Sequence, residues 1–533
     1  MRVKTNNAMN EKTRQQIADL LSSPEDLIKE TPYFRQFIRV PHIGANNGIM
    51  NAVGAKVEAK LPSFRRQAIP YEQLFAEYDP WSHSVLTDEN VPCIHVKSND
   101  GFVYDVSPQR MPASYQIAIV EKQTLHQCAN PMSHIMLNTQ PTDKQKMQFT
   151  KIKQIWDERN IDGLKTEAVK GQKSESVVGM LFYHDYKGRI KARILTRSKG
   201  WVLISHKDDN GDHILETVYY AQTDKDGNTV RYIDNYDDTY VYRITDDGGT
   251  VTDDKGAVTS NGWRYHKPFP HGFSEIPLAV KRGLVAWDAV QNVIEFYERT
   301  YNTFMVIQNK YGHGALYVKG KLAEKAKKMA GAYVLNDTSM NPEADAKYLT
   351  PPTPQNMIET LKQLEDTIQM FSGTTFILPK DIKISGDTSG LAIQLTKELD
   401  MKTAERDIND WQNFANKMMR LFKEGLAREL VASGEEGFET AITDFKQLNI
   451  RTRFVVWRPQ SNEAYNQMLT TLSGAGAISK QTLIEKNTES CPDEIARVQK
   501  EKEAEMQEEL QKQEETLRLT KKYQENETTV VNE

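Results

Sequence analysis

The period of the apolar positions changes along the chain and separates a mixed first part, a strand-rich block and a set of long helices. Residues 1–40 predict a helix. Ser22 and Ser23 precede Pro24, Glu25 and Asp26, which is typical of a helix cap followed by proline and acidic residues in the first turn. Residues 41–150 predict short strands and loops, and the segment 142–160 predicts a return to helix.

Between residues 173 and 265, short β-branched and aromatic runs alternate with turn residues. The runs include SVVGMLFYHD, GWVLISHK and HILETVYYAQ, and the turns fall at Lys187-Gly188, Asn210-Gly211, Asp226-Gly227 and Gly248-Gly249. This alternation predicts an antiparallel meander. A meander is a scaffold and indicates no function by itself.

From Pro277 onward the apolar spacing becomes helical. Residues 285–309 predict a helix of roughly 37 Å. The strands GALYVKG and AYVLND then flank a small basic helix, KLAEKAKKMA. Residues 355–373 predict a second long helix, because their apolar positions are spaced by four and three, at Met357, Leu361, Leu364, Ile368 and Phe371.

A polar loop marked by glycines, FILPKDIKISGDTSG, separates this second helix from a third one, predicted from Leu391 to about Leu430. A short strand, RTRFVVWRP, follows. Residues 462–524 then predict helix, and the last part of that segment is nearly all Glu, Lys and Gln. Such a composition fits a solvated or fraying helix, or else a surface that binds a partner.

Composition excludes several classes of protein. The 533 residues predict two to four domains. No stretch approaches the roughly 18 to 20 apolar residues of a membrane helix, and the first residues lack the apolar core of a secretory signal. With 68 basic and 73 acidic residues, the net charge of −5 argues against a static DNA clamp but permits a conduit. Three cysteines indicate a reducing compartment without a disulfide framework.

No segment carries a catalytic signature. The phosphate-binding motif GxxxxGK[ST] is absent, so the chain is not a packaging ATPase. The hydrolase motifs HExxH and GxSxG are also absent. The pairs Cys93/His95 and His126/Cys128 lack a second pair at metal spacing, and residues 208–212 lack the final glutamate of a calcium loop, which favours a plain turn. We therefore predict no catalytic residue, metal or cofactor. A nuclease, the enzymatic alternative, would need a carboxylate cluster with a lysine or histidine.

The order of the elements, together with two motifs, resembles the portal family of tailed bacteriophages over residues 170–505. The motifs are SGDTSGLAIQL before a long charged helix, and AGAISKQTLIE followed by DEIARVQKE. Before residue 170 only the helical start and its position match. The resemblance implies an α+β fold, with a β-rich wing, long stem helices, a small αβ clip, a long wing helix and a helical crown. It also implies a ring, typically of twelve subunits.

By this comparison the chain divides into eight parts. They are the wing (1–276), a stem helix (277–309), the clip (310–354), a second stem helix (355–373), the tunnel loop (374–390), the long wing helix with a closing strand (391–461), the crown (462–524) and a disordered tail (525–533).

The tunnel loop supplies the candidates to face DNA: Lys380, Lys383, Ser385, Gly386, Asp387, Thr388 and Ser389. Gly386 and Gly390 permit backbone conformations that other residues resist, and the residues between them can cap the third helix. Mixed charge suits weak phosphate contacts that break as DNA moves. A capped helix start with a flexible approach is the alternative interpretation.

The clip supplies the candidates for docking a motor or neck protein: Lys319, Lys321, Lys325, Lys327 and Lys328. A solvated face of a short helix, or contact with DNA at the channel entrance, fits this basic cluster equally well.

The function implied by the resemblance is a channel for packaging, retaining and ejecting double-stranded DNA. The channel would lie at the unique vertex of the virion capsid, after assembly in the host cytoplasm. The implied partners are copies of the same chain, transiently bound DNA, the large terminase subunit, the major capsid protein and scaffold, and head–tail adaptor or neck proteins, with no membrane. Another capsid or head–tail connector structural protein is the alternative, although adaptors are usually shorter and lack this order of elements.

Overall fold

The computed structural model describes most of the chain in segments. They are residues 11–30, 32–35, 67–87, 94–97, 103–106, 110–223, 227–246, 263–311, 315–319, 327–329, 332–334, 345–349, 355–376, 397–457 and 462–478, with residue 483 and most of 498–518. The chain forms two compact units. One contains Met1–Leu378 and Leu399–Trp457, and the other contains Pro379–Glu398 and Arg458–Glu533.

The first part of the chain mixes short strands with helices. Its elements are α1 (Glu11–Ser22), α2 (Pro24–Leu27), β1 (Tyr33–Arg35), β2 (Gln67–Ile69), α3 (Tyr71–Tyr78), β3 (Ile94–Lys97), β4 (Val103–Val106), α4 (Tyr115–Cys128), β5 (Ser133–Met136), α5 (Asp143–Glu158) and α6 (Ile161–Glu175). Two 3₁₀ turns, Pro80–Ser82 and Ser84–Leu86, follow α3.

Two sequence predictions for this part need correction, and one is confirmed. Residues 1–40 are not one helix: α2 ends at Leu27, and β1 follows Pro32, which disfavours helical backbone before it. Residues 41–150 contain α3 and α4 as well as strands. Helix α4 escaped prediction because its buried face includes polar Gln116, Thr124 and Gln127. The predicted helix at 142–160 is confirmed as α5, where Thr142 and Gln145 form a capping box.

The strand-rich block is confirmed, but it forms two antiparallel sheets instead of one. The first has the order β14–β6–β7, and the second has the order β12–β11–β10–β9–β8 with β13 beside β11. The strands are β6 (Val177–His184), β7 (Ile190–Leu195), β8 (Val202–Lys207), β9 (His213–Thr223), β10 (Thr229–Tyr236), β11 (Tyr240–Asp246), β12 (Arg264–Tyr265), β13 (Phe269–Pro270) and β14 (Leu278–Arg282).

The two sheets separate where a 3₁₀ turn, Arg197–Lys199, interrupts the chain between β7 and β8. The predicted turns at Lys187-Gly188 and Asn210-Gly211 connect β6 to β7 and β8 to β9. Asp226 and Gly248-Gly249 lie outside the described residues. Residues 173–175 belong to the end of α6.

Three long helices follow the sheets. They are α7 (Gln291–Tyr311), α8 (Gln355–Ser372) and α9 (Glu398–Ser433). The helix expected at 285–309 begins only at Gln291, because the bonds Asp288 N–Val285 O and Val290 N–Trp287 O make tighter turns before it. The prediction for 355–373 is confirmed. The expected start of the third helix, at Leu391, lies outside the described residues.

Between α7 and α8, the described residues form the short strands β15 (Ala315–Lys319), β16 (Lys327–Met329), β17 (Ala332–Val334) and β18 (Asp345–Leu349). β15 pairs with β18, and β16 pairs with β17, both antiparallel. The predicted basic helix KLAEKAKKMA is therefore wrong at Lys327–Met329. Only two residues separate Met329 from Ala332, its partner, so the backbone bonds close a hairpin in place of a helical turn.

The largest core surrounds α9. Trp411, Ala415, Met418 and Phe422 are buried against α5, α6 and the first sheet, and the rings of Trp156 and Phe422 meet edge to face at 5.1 Å. After α9 come α10 (Ala441–Gln447) and β19 (Ile450–Arg453), and β19 pairs with β5. This strand confirms the predicted one but is shorter.

The second unit contains α11 (Asn462–Gly474) and helical residues within 498–518. The helical segment predicted over 462–524 begins as expected with α11, but it is interrupted, because the backbone leaves the helix after Gly474 and Gly476 has a φ of 71°. The described residues of 500–518 are exposed, including Met506, Leu510 and Leu517.

Candidate functional site

The predicted DNA-facing residues, Lys380, Lys383, Ser385, Gly386, Asp387, Thr388 and Ser389, all lie outside the described residues. The structure does describe the chain immediately before and after them, in the first unit. These two ends are the last turn of α8 with residues 373–376, and the first turns of α9.

The chain leaves α8 through a fixed reversal. Gly373 has a φ of 66°, a left-handed conformation that favours glycine, and a Cβ there would lie 2.3 Å from the hydroxyl oxygen of Thr403. The amide of Thr374 donates to the backbone carbonyl of Gln369 at 3.1 Å. The amide of Phe376 donates to the side-chain Oε1 of the same Gln369 at 2.8 Å. These bonds direct the outgoing chain along one path.

The returning chain is bonded to the outgoing chain. The amide of Thr375 donates to Oδ1 of Asp400 at 2.8 Å, and its hydroxyl donates to Oδ2 of the same carboxylate. Asp400 is 4% exposed. Because two donors of one residue meet both oxygens of a buried carboxylate, the two ends are held at a fixed separation.

Helix α4 also forms hydrogen bonds to residues 372–375. Nε2 of Gln123 donates to the carbonyl of Ser372 at 2.8 Å and to the hydroxyl of Thr374 at 3.1 Å. Nζ of Lys122 donates to the carbonyl of Thr375. We name the set Lys122, Gln123, Thr374, Thr375 and Asp400 the loop anchor.

The loop anchor continues into a buried ion pair. Nζ of Lys173, on α6, donates to Oε1 of Gln123 at 3.0 Å and to Oδ2 of Asp407, on α9, at 2.5 Å. The helices α4, α6 and α9 are thus joined by polar groups beside the loop. Sequence reasoning missed these residues, because Gln123 and Asp400 lie far apart in the chain and carry no motif.

A cleft of about 640 Å³ opens next to the loop anchor. Its wall carries the cations Lys281 and Arg406, the carboxylates of Asp407 and Asp410, and the ring of Trp411. Burial lowers the pKa of Lys281. Since side chains of both charges line the wall, the cleft indicates no single class of ligand.

The candidate docking lysines divide between two strands and the residues outside the description. Lys319 ends β15, and Lys327 and Lys328 begin β16. Lys321 and Lys325 lie outside the described residues. Lys327 and Lys328 therefore do not lie on a short helix, so the alternative of a solvated helix face does not hold for these two residues.

A second polar set lies along α7 and was also missed. Asp288, Gln291, Glu295, Glu298 and Asn302 are spaced by three and four residues, and each is 9% exposed or less. We name this set the polar stripe. Such spacing ordinarily predicts the solvated face of a helix. Here each member is buried among residues of the first part of the chain.

The partners of the polar stripe are specific. The hydroxyl of Tyr33 donates to Oδ1 of Asp288 at 2.6 Å, and Nε2 of Gln116 donates to Oε1 of Gln291 at 3.0 Å. Asn302 exchanges two hydrogen bonds of 2.8 Å with the backbone of Met111.

Two further side chains from the first part complete this interface. Arg35 pairs with Glu77 at 2.5 Å, and that carboxylate also accepts from the indole of Trp287 at 3.1 Å. Burial raises the pKa of Glu77, against the opposing effect of Arg35. The network is directional, so it fixes how the first part of the chain sits on α7.

A model of the family described as phage portal protein, SPP1 Gp6-like, matches residues 109–508 of the 533. The chain belongs to this portal family. The prediction made from the resemblance is confirmed, and the match begins about sixty residues earlier than the predicted resemblance, so that it includes α4, α5 and α6. No curated protein matches the chain.

The extent of the match separates the polar stripe from several of its partners. The loop anchor and the polar stripe both lie inside the portal family's range, but Tyr33, Arg35, Glu77 and His83 lie before it. The first part of the chain therefore adds its own partners to a helix that belongs to the family.

The other chemical candidates are structural where the structure describes them. The turn at residues 208–212 closes on itself, because Oδ1 of Asp208 accepts the amides of Asn210 and Asp212 at 2.9 Å. Cys128 is buried, and burial raises the pKa of its thiol to about 12. Cys93 lies outside the described residues. Within the described ranges no group of His, Cys, Asp and Glu side chains could hold a metal ion.

Helices long and apolar enough to span a membrane are absent from the described part of the chain.

Proposed function

We propose that this member of the portal family forms a ring at the capsid vertex and passes double-stranded DNA through its centre. The observation that carries the proposal is the loop anchor. It ties the two ends of residues 377–396 to each other and to α4, between the long helices α8 and α9. Because its two ends are anchored, a polar loop can contact a moving ligand without displacing the helices on either side of the loop.

The charge of the chain supports a conduit over a clamp. Phosphate contacts that bind tightly would stall sliding, and each additional pair strengthens binding. The loop residues 380–389 mix lysines with an aspartate and hydroxyl groups, and the net charge of the whole chain is −5. We infer weak and non-specific contacts from Lys380, Lys383 and the hydroxyl residues that follow them.

The remaining parts of the proposal follow the family. Residues 310–354 would dock the large terminase subunit during packaging, and then the neck or adaptor proteins. The wing would contact the major capsid protein and scaffold, and the crown would face the capsid interior. Twelve subunits, assembled in the host cytoplasm, are the expected ring. The role is structural and requires no catalytic group.

Deleting residues 383–389 tests the role of the loop. We expect electron microscopy of the purified variant to show the same closed ring as the unaltered protein, because the loop anchor lies outside the deletion. Packaging of DNA, or its retention after packaging, should fall. Loss of the ring would show that the loop is structural, and normal packaging would remove its proposed role. If the unaltered protein forms no ring, the proposed portal function is wrong.

A charge variant sharpens the test. Lys380→Gln with Lys383→Gln removes two positive charges from the loop. The matched control is Lys187→Gln with Lys207→Gln, which removes two from exposed positions on the hairpins of the sheets. We expect only the loop variant to change the salt dependence of packaging, since counterion release follows the phosphate contacts. An equal change in both would indicate a general effect of charge.

A further inference from the structure

His83 lies between two hydrogen-bond acceptors. Its Nδ1 is 2.6 Å from Oε1 of Glu298, on α7, and its Nε2 is 2.9 Å from the backbone carbonyl of Glu77. The ring is buried, with 6% of the residue exposed. The 3₁₀ turn before it holds the ring in place, because Asp79 accepts from the amide of Trp81 and from the hydroxyl of Ser82.

Both acceptors are fixed in that role. A carbonyl oxygen can only accept, so Nε2 must carry a proton. Oε1 of Glu298 also accepts the amide of Ala113, at 2.7 Å, so it too faces His83 as an acceptor. Since a carbonyl faces one ring nitrogen and a carboxylate oxygen that already accepts an amide faces the other, both nitrogens are placed to donate, which favours the doubly protonated imidazolium.

The surroundings of the ring are acidic. Glu295 and Glu298 of α7 line the small cavity beside it together with Glu77 of α3, and Asp79 is the next charged residue of its own segment. The cation of this region, Arg35, pairs with Glu77. A neutral His83 would place an unprotonated ring nitrogen against one of these two acceptor oxygens and would remove a positive charge from among these carboxylates.

His271 shows the opposite arrangement in the same protein. Its Nε2 faces the carbonyl of Asp237 at 3.0 Å, but its Nδ1 accepts the amide of Phe273 at 3.1 Å. One nitrogen donates and the other accepts, so this ring is held in its neutral form. Burial lowers the pKa of His271. The contrast makes His271 a matched control for His83.

We propose that residues 67–87 form a clasp on α7 that is closed by the imidazolium of His83 and opens when this ring loses a proton. The clasp stands independently of the DNA channel. Its members lie before the residues that the portal family matches, so it is a device added to the family's helix.

The direction of the pH effect follows from the protons bound. Burial lowers the pKa of His83, but the hydrogen bond and charge of Glu298 outweigh it, and the pKa of the folded protein is raised. The closed clasp therefore gives its full stabilisation below the ordinary histidine value of about 6.5, and loses it as the pH rises through the raised value. Burial raises the pKa of Glu77 as well, which acts in the same direction.

Hydrogen exchange of the full-length protein at about pH 6 and pH 9, corrected for the intrinsic change of rate with pH, tests the clasp. We expect protection of the peptides covering 71–87 and 291–302 to fall at the higher pH, by about tenfold for each unit by which the pKa of His83 is raised. Protection of β10 and β11 should stay constant. Equal protection of the clasp at both pH values in the unaltered protein overturns the proposal.

Two variants give an independent check. His83→Gln cannot bear the positive charge, so exchange at 291–302 should be fast at both pH values and should no longer depend on pH. His271→Gln should leave the pH dependence at 291–302 as in the unaltered protein. If His83→Gln keeps the full pH dependence, another group drives the opening and the proposal is wrong.

Discussion

Helices α7 and α9 both bury a stripe of residues spaced by three and four, but the two stripes differ in chemistry. In α9 the stripe is aromatic and aliphatic, with Trp411, Met418 and Phe422 almost fully buried. In α7 and the turn before it, the corresponding buried positions include three carboxylates and two amides, and four of these five side chains bond to residues of the first part of the chain. An apolar stripe gains free energy from burial alone, whereas a polar stripe gains little and tolerates only correctly placed partners. The apolar stripe of α9 therefore mainly stabilises the fold, whereas the polar stripe of α7 mainly fixes the position of the residues that bond to it.

The largest loss of stability is expected from truncating a side chain of the apolar stripe. Trp411 is 2% exposed and packs edge to face on Phe414 and Phe454, with ring centroids 4.9 and 5.6 Å apart. Trp411→Ala should lower the free energy of unfolding by about 3–5 kcal/mol, from lost burial and the cavity left behind.

Chemical denaturation followed by circular dichroism measures this loss. The control is Trp81→Ala, which removes a tryptophan that is 82% exposed and should change stability by less than about 0.5 kcal/mol. Similar losses in the two variants would mean that α9 does not form the main core.

A double-mutant cycle distinguishes the two stripes more directly. Arg35→Met leaves the carboxylates of Glu77 and Asp288 buried near the lost cation, and should cost about 3–5 kcal/mol. Adding Glu77→Leu removes one stranded charge, so the double variant should be more stable than Arg35→Met alone. Around α9 the expectation reverses, and Trp411→Ala with Phe414→Ala should be less stable than either single variant.

Unfolding free energies of the two cycles, measured under one set of conditions, give the coupling. The polar pair should show strong coupling of the restoring sign. If the double variant at Arg35 and Glu77 is as unstable as the sum of the single losses, the polar stripe contributes by burial in the same way as α9.

The sequence predicted the apolar stripe and missed the polar one for a physical reason. Apolar residues at helical spacing are buried in almost any fold, so α8 and most of α9 could be placed from their periods alone. Polar residues at the same spacing are usually solvated. Their burial depends on partners distant in sequence, and 215 residues separate His83 from Glu298. A local pattern contains no information about such a partner.

The same limit applies to the loop anchor. The order of helix, polar loop and helix was readable, and the portal family followed from it together with two motifs. Asp400 reads as one acid in a charged helix, and nothing local marks it as the acceptor for Thr375 or places α4 beside it. A helix whose signals lie within its own segment could be placed closely, since α5 was predicted over 142–160 and spans Asp143–Glu158.

The smallest effect on stability, and the sharpest test of positioning, is expected at the loop anchor. Asp400→Asn keeps the shape of the side chain but replaces the charged carboxylate with a neutral amide, whose oxygen can accept from the amide of Thr375 while its nitrogen faces the hydroxyl. Replacing charge-assisted bonds with neutral ones should cost about 1–1.5 kcal/mol. Hydrogen exchange should show the change locally, as faster exchange of residues 374–376.

Asp410→Asn is the control, because Asp410 is an exposed acid on the same helix. If the anchor only positions the loop, Asp400→Asn will speed exchange at 374–376 while leaving the core of α9 protected, and Asp410→Asn will do neither. Loss of protection across α9 would instead place Asp400 in the stabilising core. The polar groups of the anchor would then behave as the apolar stripe does, and the distinction between the two helices would not extend to the loop.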